Sequence, residues 1–172
     1  MNTLESIFSR RSIRKFDGHP VPRDLLLQIL KAAMYAPSAR NSQAWHFVLE
    51  EERERLIKLA GIHPYGKMLD SAGAAILVCG DKKIDDSLLY LVQNCAAATQ
   101  NALLAAHELG LGAVWLGIQP REQRVHSMKE FFNLPDHIVP ISLIAVGYPV
   151  QQPANVQRFK PDRIQFGKWQ DQ

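Results

Sequence analysis

Cysteine is scarce in this chain of 172 residues: Cys79 and Cys95 are the only two. They lie 16 positions apart, so they cannot form a CxxC metal or redox motif. Their apolar neighbours (Ile76-Leu77-Val78 before one, Ala96-Ala97-Ala98 after the other) mark them as reduced core residues. Long hydrophobic runs are missing too, since no stretch approaches the ~18–20 apolar residues that cross a bilayer. The opening Met1-Asn2-Thr3-Leu4-Glu5 carries an acid early and lacks the basic-then-apolar order of a signal peptide. Neither sign of charge dominates: 20 Lys and Arg face 17 Asp and Glu, a net charge of +3. That excess is too small and too dispersed for a nucleic-acid-binding stripe. Hydrophobic residues make up 47% and charged ones 22%, enough apolar side chain to offset the ordering entropy of a packed domain. The expectation is one cytoplasmic domain over residues 1–172, with neither nucleic acid nor membrane as partner.

Familiar catalytic signatures are absent as well. There is no GxxxxGK[ST] phosphate loop, no GxSxG elbow and no HExxH helix. Gly110-Leu111-Gly112 precedes an apolar segment instead of following one, so it reads as a helix C-cap and tight turn, not a dinucleotide fingerprint. The six histidines (His19, His46, His63, His107, His126, His137) show no metal-ligand spacing and read as surface or packing residues. No metal site is expected. Ser12 and Ser38 have no histidine placed as a base, so no side-chain nucleophile is expected either.

What is present alternates between helix and strand. Asn2 and Glu5 predict a capped first helix ending near Arg10. A second helix starts after Val21-Pro22, carries Leu26, Ile29, Leu30 and Ala33 at helical spacing, and stops before Pro37. Trp45–Leu49 reads as a strand, and Glu50-Glu51-Glu52 as the opening of a charged helix running to Leu59-Ala60. Ala74–Cys79 reads as a strand buried on both faces. An alanine-rich helix over Leu88–Leu109 belongs in the middle of the structure, because small residues let backbones approach closely. A strand over Ala113–Leu116, a helix over Pro120–Phe132, a strand over Ile141–Val146 and a tail from Pro149 complete the pattern. The class is α+β, one sheet covered by helices, with the strand order left open.

Two segments carry chemistry. In Arg10-Arg11-Ser12-Ile13-Arg14-Lys15-Phe16, an extended backbone puts Arg10, Ser12 and Arg14 on one face. Guanidinium forks around a hydroxyl suit a phosphate or the edge of a polar heterocycle. The second segment, Ala36-Pro37-Ser38-Ala39-Arg40-Asn41-Ser42-Gln43-Ala44-Trp45, combines small side chains, two amides and hydroxyls beside an aromatic. That set suits a flat ligand, with little bulk against its face and hydrogen bonds at its rim.

Together these segments resemble the FMN-dependent nitroreductase family. Arg10–Phe16 is similar to its R-R-S-x-R-x-F element. Ala36–Trp45 is similar to its A-P-S-x-x-N-x-Q-P-W element, with Ala44 in place of the proline. Lys67-Met68-Leu69-Asp70-Ser71-Ala72 resembles the K-x-L-x-x-A segment, Leu109–Gly117 the G-L-G-x-x-W/C-x-G strand, and Pro140–Pro149 the closing strand. Where many relatives place an asparagine before K-x-L, this chain reads Ile62-His63-Pro64-Tyr65-Gly66. The additional helical excursion of larger members has little room here.

The resemblance implies a three-layer nitroreductase-like fold, a central mixed or antiparallel sheet flanked by helices, in an intertwined homodimer. It implies FMN as cofactor, NADH or NADPH as donor, and nitroaromatics, quinones or free flavin as acceptors, by ping-pong kinetics through flavin N5. Arg10, Arg11, Ser12 and Arg14 would hold the phosphate and pyrimidine edge. Pro37, Ser38, Ala39, Asn41 and Gln43 would reach the flavin of the partner subunit. Leu116 and Gly117 would approach N5, and Arg158 and Lys160, with Arg163 nearby, would complete the phosphate site. No side-chain acid or base is implied, since the flavin carries the chemistry. The alternatives are a specialised member (a dehalogenase-like or flavin-fragmenting enzyme), a flavin-binding protein without turnover, and a basic interaction module.

Overall fold

A computed structural model describes residues 2–150, 154 and 156–169, so part of the tail beyond Pro149 lies outside the described residues. Helix α1 (Thr3–Ser9) opens with a capping box: Asn2 Oδ1 accepts the Glu5 N–H, and the Glu5 carboxylate accepts the Asn2 N–H, each at 3.0 Å. Then come α2 (Arg23–Met34), β1 (Trp45–Glu50), α3 (Arg53–Ile62), β2 (Ala74–Asp81), α4 (Leu88–Glu108), β3 (Gly112–Gly117), α5 (Glu122–Phe132) and β4 (Ile138–Gly147). The four strands form one antiparallel sheet in the order β1-β2-β4-β3.

Period-two alternation along β2 explains the layers. Ala74, Ile76 and Val78 pack with Leu26 and Ile29 of α2 and with Cys95, Ala98 and Ala102 of α4. Ala75, Leu77 and Cys79 face the other way, onto Leu56 and Leu59 of α3 and Met128 of α5. The sheet is therefore sandwiched, as expected for a strand with no polar face. Each fully buried Leu or Ile contributes roughly 1.5–3 kcal/mol by burial. Both cysteines are free and buried, and burial pushes the Cys95 thiol up to about 12, with Cys79 raised as well. They serve as core residues.

Helix α4 ends as Gly110 predicts. Gly110 has φ +77°, its N–H bonds the His107 carbonyl at 3.1 Å, and the Leu111 N–H bonds the Ala106 carbonyl at 2.8 Å. Those two bonds form a Schellman cap, which turns the chain directly into β3. Gly112 serves a close approach instead: a Cβ there would stand 2.6 Å from the Ile13 side chain. Ser12 pairs with Ala113 in an isolated parallel bridge, and Phe16 with Pro149 in an antiparallel one. The arginine segment is thereby laid on the end of the sheet, with Ile13 and Phe16 buried as its anchors.

Several boundaries differ from expectation by one or more residues, and two of the differences have a clear physical cause. Glu50 does not open α3; it ends β1, is buried, and its carboxylate accepts from Arg55 Nε and from the Glu52 N–H. Strand β4 begins at Ile138, not Ile141, so Pro140 lies inside an inner strand. It sits opposite Cys79, where the β2–β4 register shifts. An irregularity of that kind tolerates the missing N–H.

Candidate functional site

The arginine segment collects cations. Arg10 is the C-cap of α1, and its guanidinium is pushed below its ordinary pKa by burial first, then by Arg158 and Arg11. The tail thus returns Arg158 to the segment. His107, near the end of α4, is lowered by burial, then by Arg10, against an opposing pull from Glu108. None of Arg10, Arg11 or Arg158 pairs with a carboxylate among the described residues. Arg11 uses its terminal nitrogens on carbonyls: Phe8 at 2.6 Å, Arg10 at 2.8 Å and Val156 at 3.4 Å. Its Nε is buried with no partner among the described residues. An unsatisfied buried donor inside a cluster of uncompensated cations is the feature a phosphate would relieve. Ser12 is half-buried, while Arg14, Lys160 and Arg163 are exposed.

The Pro37–Gln43 loop is held in unusual backbone geometry. Arg40, Asn41 and Gln43 have φ of +55°, +53° and +48°, a region costing roughly 1–3 kcal/mol per non-glycine residue. Four hydrogen bonds over-determine it. Ser38 Oγ accepts the Gln43 N–H at 3.0 Å, and Gln43 Nε2 donates to Asn41 Oδ1 at 3.0 Å. Asn94 Oδ1 accepts the Ala39 N–H at 2.9 Å, while its Nδ2 donates to Ser42 Oγ at 3.3 Å. Asn94, an amide buried on the apolar face of α4, is a positioning residue that the sequence reading missed. Its signal was there: a lone amide at a core position of an alanine-rich helix.

The two segments are not brought together within one chain. The loop hangs from Asn94, whereas the arginine segment meets α4 where Ser9 Oγ lies 2.8 Å from His107 Nε2. Thirteen residues separate these positions on α4. At 1.5 Å and 100° per residue they are about 20 Å apart along the axis and about 140° around it.

The third predicted piece is the end of β3. Leu116 is buried and Gly117 half-buried, with open space where a Cβ would stand: the nearest atom, the Gln119 carbonyl oxygen, is 4.0 Å away. Two donors converge on the Gly117 carbonyl, Arg124 Nη1 at 2.7 Å and His63 Nε2 at 3.1 Å. The sequence reading left both residues out. His63 is only 2% exposed, and its Nδ1 accepts the Tyr65 N–H at 3.2 Å. A carbonyl only accepts and an amide N–H only donates, so Nε2 carries the hydrogen and Nδ1 is bare. The geometry holds His63 neutral, and burial lowers its pKa, with the Gly117 bond opposing and Arg124 adding to the shift.

A pH dependence follows. As pH falls below about 6.5, the unfolded imidazole takes up a proton before the folded one does. The stabilising contribution is full above that value and is lost as pH falls toward the depressed folded pKa. His63→Gln is expected to flatten the stability slope between pH 5 and 6.5 by up to about 1.4 kcal/mol per pH unit. Chemical denaturation across that range measures it. A remaining slope belongs to His107, which shifts in the same direction, and toward pH 5 also to Asp17, Asp81 and Glu108, whose carboxyls are held below their ordinary range. An unchanged slope would mean that His63 is not held neutral.

A family model described as the nitroreductase family matches residues 7–65 and 62–148. The chain belongs to the nitroreductase family. It is 47% identical over 169 residues to a provisionally named NADH dehydrogenase/NAD(P)H nitroreductase of Methanothermobacter thermautotrophicus, covering 98% of this chain and 88% of that protein. A provisionally named NADH dehydrogenase/NAD(P)H nitroreductase from Parabacteroides distasonis has a similar crystal structure, with TM-score 0.93, 36% identity, and 98% and 100% of the two chains covered. An FMN-dependent nitroreductase from Clostridium difficile aligns with TM-score 0.89 and 27% identity over 97% and 100% of the two chains.

The nitroreductase fold accounts for the three-layer α+β architecture. Among the described residues no cluster of His, Cys, Asp and Glu could hold a metal, and no helix is long and apolar enough to cross a membrane. The orphaned Arg11 Nε and the unpaired Arg10 and Arg158 fit the phosphate of a flavin mononucleotide, a group of charge near −2 that accepts through three oxygens.

Proposed function

We propose that this chain is an FMN-dependent oxidoreductase, a single domain over residues 1–172, that uses NADH or NADPH to reduce nitroaromatics, quinones or related electron-poor acceptors. One observation carries the reading: three arginines crowd without a carboxylate partner, and one keeps a buried donor unsatisfied among the described residues. The names of the relatives supply the donor and the cofactor, NAD(P)H for the archaeal protein and FMN for the clostridial one.

In this reading Arg10, Arg11, Ser12 and Arg14, with Arg158 and Lys160 from the tail, bind the phosphate and the pyrimidine edge. Leu116 and Gly117 line the approach to N5, and the Gly117 peptide is oriented by Arg124 and His63. When bound, FMN supplies a hydride acceptor and donor at N5, so that NAD(P)H and acceptor alternate at one place in ping-pong order. Fixed positive charge near the pyrimidine edge favours the anionic reduced cofactor.

A homodimer is part of the proposal. The separation of the Pro37–Gln43 loop from Arg10–Arg14 across α4 supports it, because a second copy can bring a loop where the first cannot. Large apolar side chains left in water support it as well: Phe8 is 69% exposed, Leu89 76% and Phe166 89%.

The visible spectrum of the purified protein tests the reading. A bound-flavin absorbance that bleaches on anaerobic addition of NADPH is expected, followed by turnover with an acceptor panel. Colourless protein that gains no thermal stability from FMN would return it to an interaction module. Flavin that stays oxidised under NADPH would make it a binding protein without turnover.

A further inference from the structure

A groove of about 590 Å³ opens between the end of α3 and the start of α5. One wall is Gly61, Ile62 and Pro64, and the other presents Arg121, Arg124 and Ser127. The volume lies within the ~300–1,000 Å³ of small-molecule sites. Its electrostatics are lopsided: two guanidiniums face it, with Glu122 as the single acid among the lining residues and Gln123 as a neutral one. Glu122 forms no ion pair among the described residues.

The two arginines are held differently. Arg124 is fixed in place, bonded to the Gly117 carbonyl at 2.7 Å and lying 5.4 Å from the Tyr65 ring centroid. A planar donor fork locked by packing loses little freedom when it takes a ligand. Arg121 is exposed, and its side chain has no partner among the described residues. A fixed fork and a free one on the same wall match a carboxylate or another small planar oxyanion.

We propose that this groove seats the anionic substituent of the electron acceptor, so that the enzyme prefers flat acceptors bearing a carboxylate over neutral analogues. The redox part rests on the proposed function, since Arg124 ties the groove to the Gly117 peptide that would face the flavin. The binding part stands on the groove alone. A nitroaromatic acid such as 4-nitrobenzoate then holds its carboxylate between Arg121 and Arg124. Hydride from NAD(P)H and a solvent proton convert its nitro group to nitroso and water.

The probes are 4-nitrobenzoate and the neutral 4-nitrobenzyl alcohol, on flavin-loaded protein, by calorimetry and by KM. The acid is expected to bind about tenfold tighter than the alcohol, the worth of one charge-assisted hydrogen bond. Arg121→Ala should abolish most of that ratio, and Glu122→Gln should raise it. Salt should reduce it, because the site is open to solvent. Lys58→Ala, an equal charge change on the exposed face of α3, should leave the ratio at the wild-type value. Equal binding of the two probes, or an equal response to Arg121→Ala and Lys58→Ala, would overturn the site. Tight binding of the acid without NADPH oxidation would keep the groove and remove the enzymatic reading.

Discussion

Arg10→Glu is expected to raise the dissociation constant of FMN by at least about a hundredfold, through loss of a charge-assisted contact and gain of repulsion with the phosphate. What separates this from ordinary damage is the flavin-free protein. Burial and the charges of Arg158 and Arg11 already oppose the ionised Arg10 guanidinium. An acid at that position replaces two repulsions by attractions, so the flavin-free protein should melt no lower than wild type. Affinity falls while intrinsic stability holds or rises. Flavin fluorescence titration gives the first quantity and a thermal melt without flavin the second. A melt lowered in step with affinity would make Arg10 a structural staple of the kind Arg11 forms with the Phe8, Arg10 and Val156 carbonyls. Low salt should widen the difference in affinity, since this surface is only partly buried.

The elements were legible in the sequence where their causes are local. The Asn2–Glu5 capping box, the Gly110 cap and the two-sided burial of β2 each follow from residues a few positions apart. The apolar run shows a strand over Ile141–Val146 but not its extension back through Pro140, since a proline normally excludes an inner strand. Only the pairing with β2, more than sixty residues away, supplies the irregularity that admits it. The site divides in the same way. Arg10–Arg14 is a compact motif whose cations fall together in any extended conformation. Asn94, His63 and Arg124 act through backbone partners supplied by the tertiary fold: Ala39, Gly117, and Gly117 again. His63 illustrates the limit. Its spacing to other histidines suggested no role, and its importance lies in which carbonyl the fold places against Nε2. Distance along α4 is equally invisible: the resemblance assigns the loop to the partner's flavin, and the fold supplies the spacing, with Asn94 and His107 about 20 Å apart along the axis and about 140° around it.

That separation yields the most discriminating result expected of the protein. Arg10→Glu removes the phosphate side of a site, and Ser38→Trp fills the loop side with a bulky ring. Ser38 has φ of −137°, an extended backbone that any residue adopts, so the tryptophan fits there; it adds volume and also removes the Oγ that accepts the Gln43 N–H, and both changes act on the loop side alone. Each variant alone should be close to inactive. Co-expressed with separate tags, the two chains form mixed dimers in about half of all assemblies if they associate at random. Within a mixed dimer, one site combines both lesions, and the other combines the intact arginine segment of one chain with the intact loop of its partner. About a quarter of all sites are then wild type, so two inactive preparations yield roughly a quarter of full activity and flavin content. The purified mixed dimer should hold one flavin where wild type holds two. A site built within one chain gives the opposite result, because every chain in the mixture carries a lesion. No recovery on co-expression would therefore overturn the shared site.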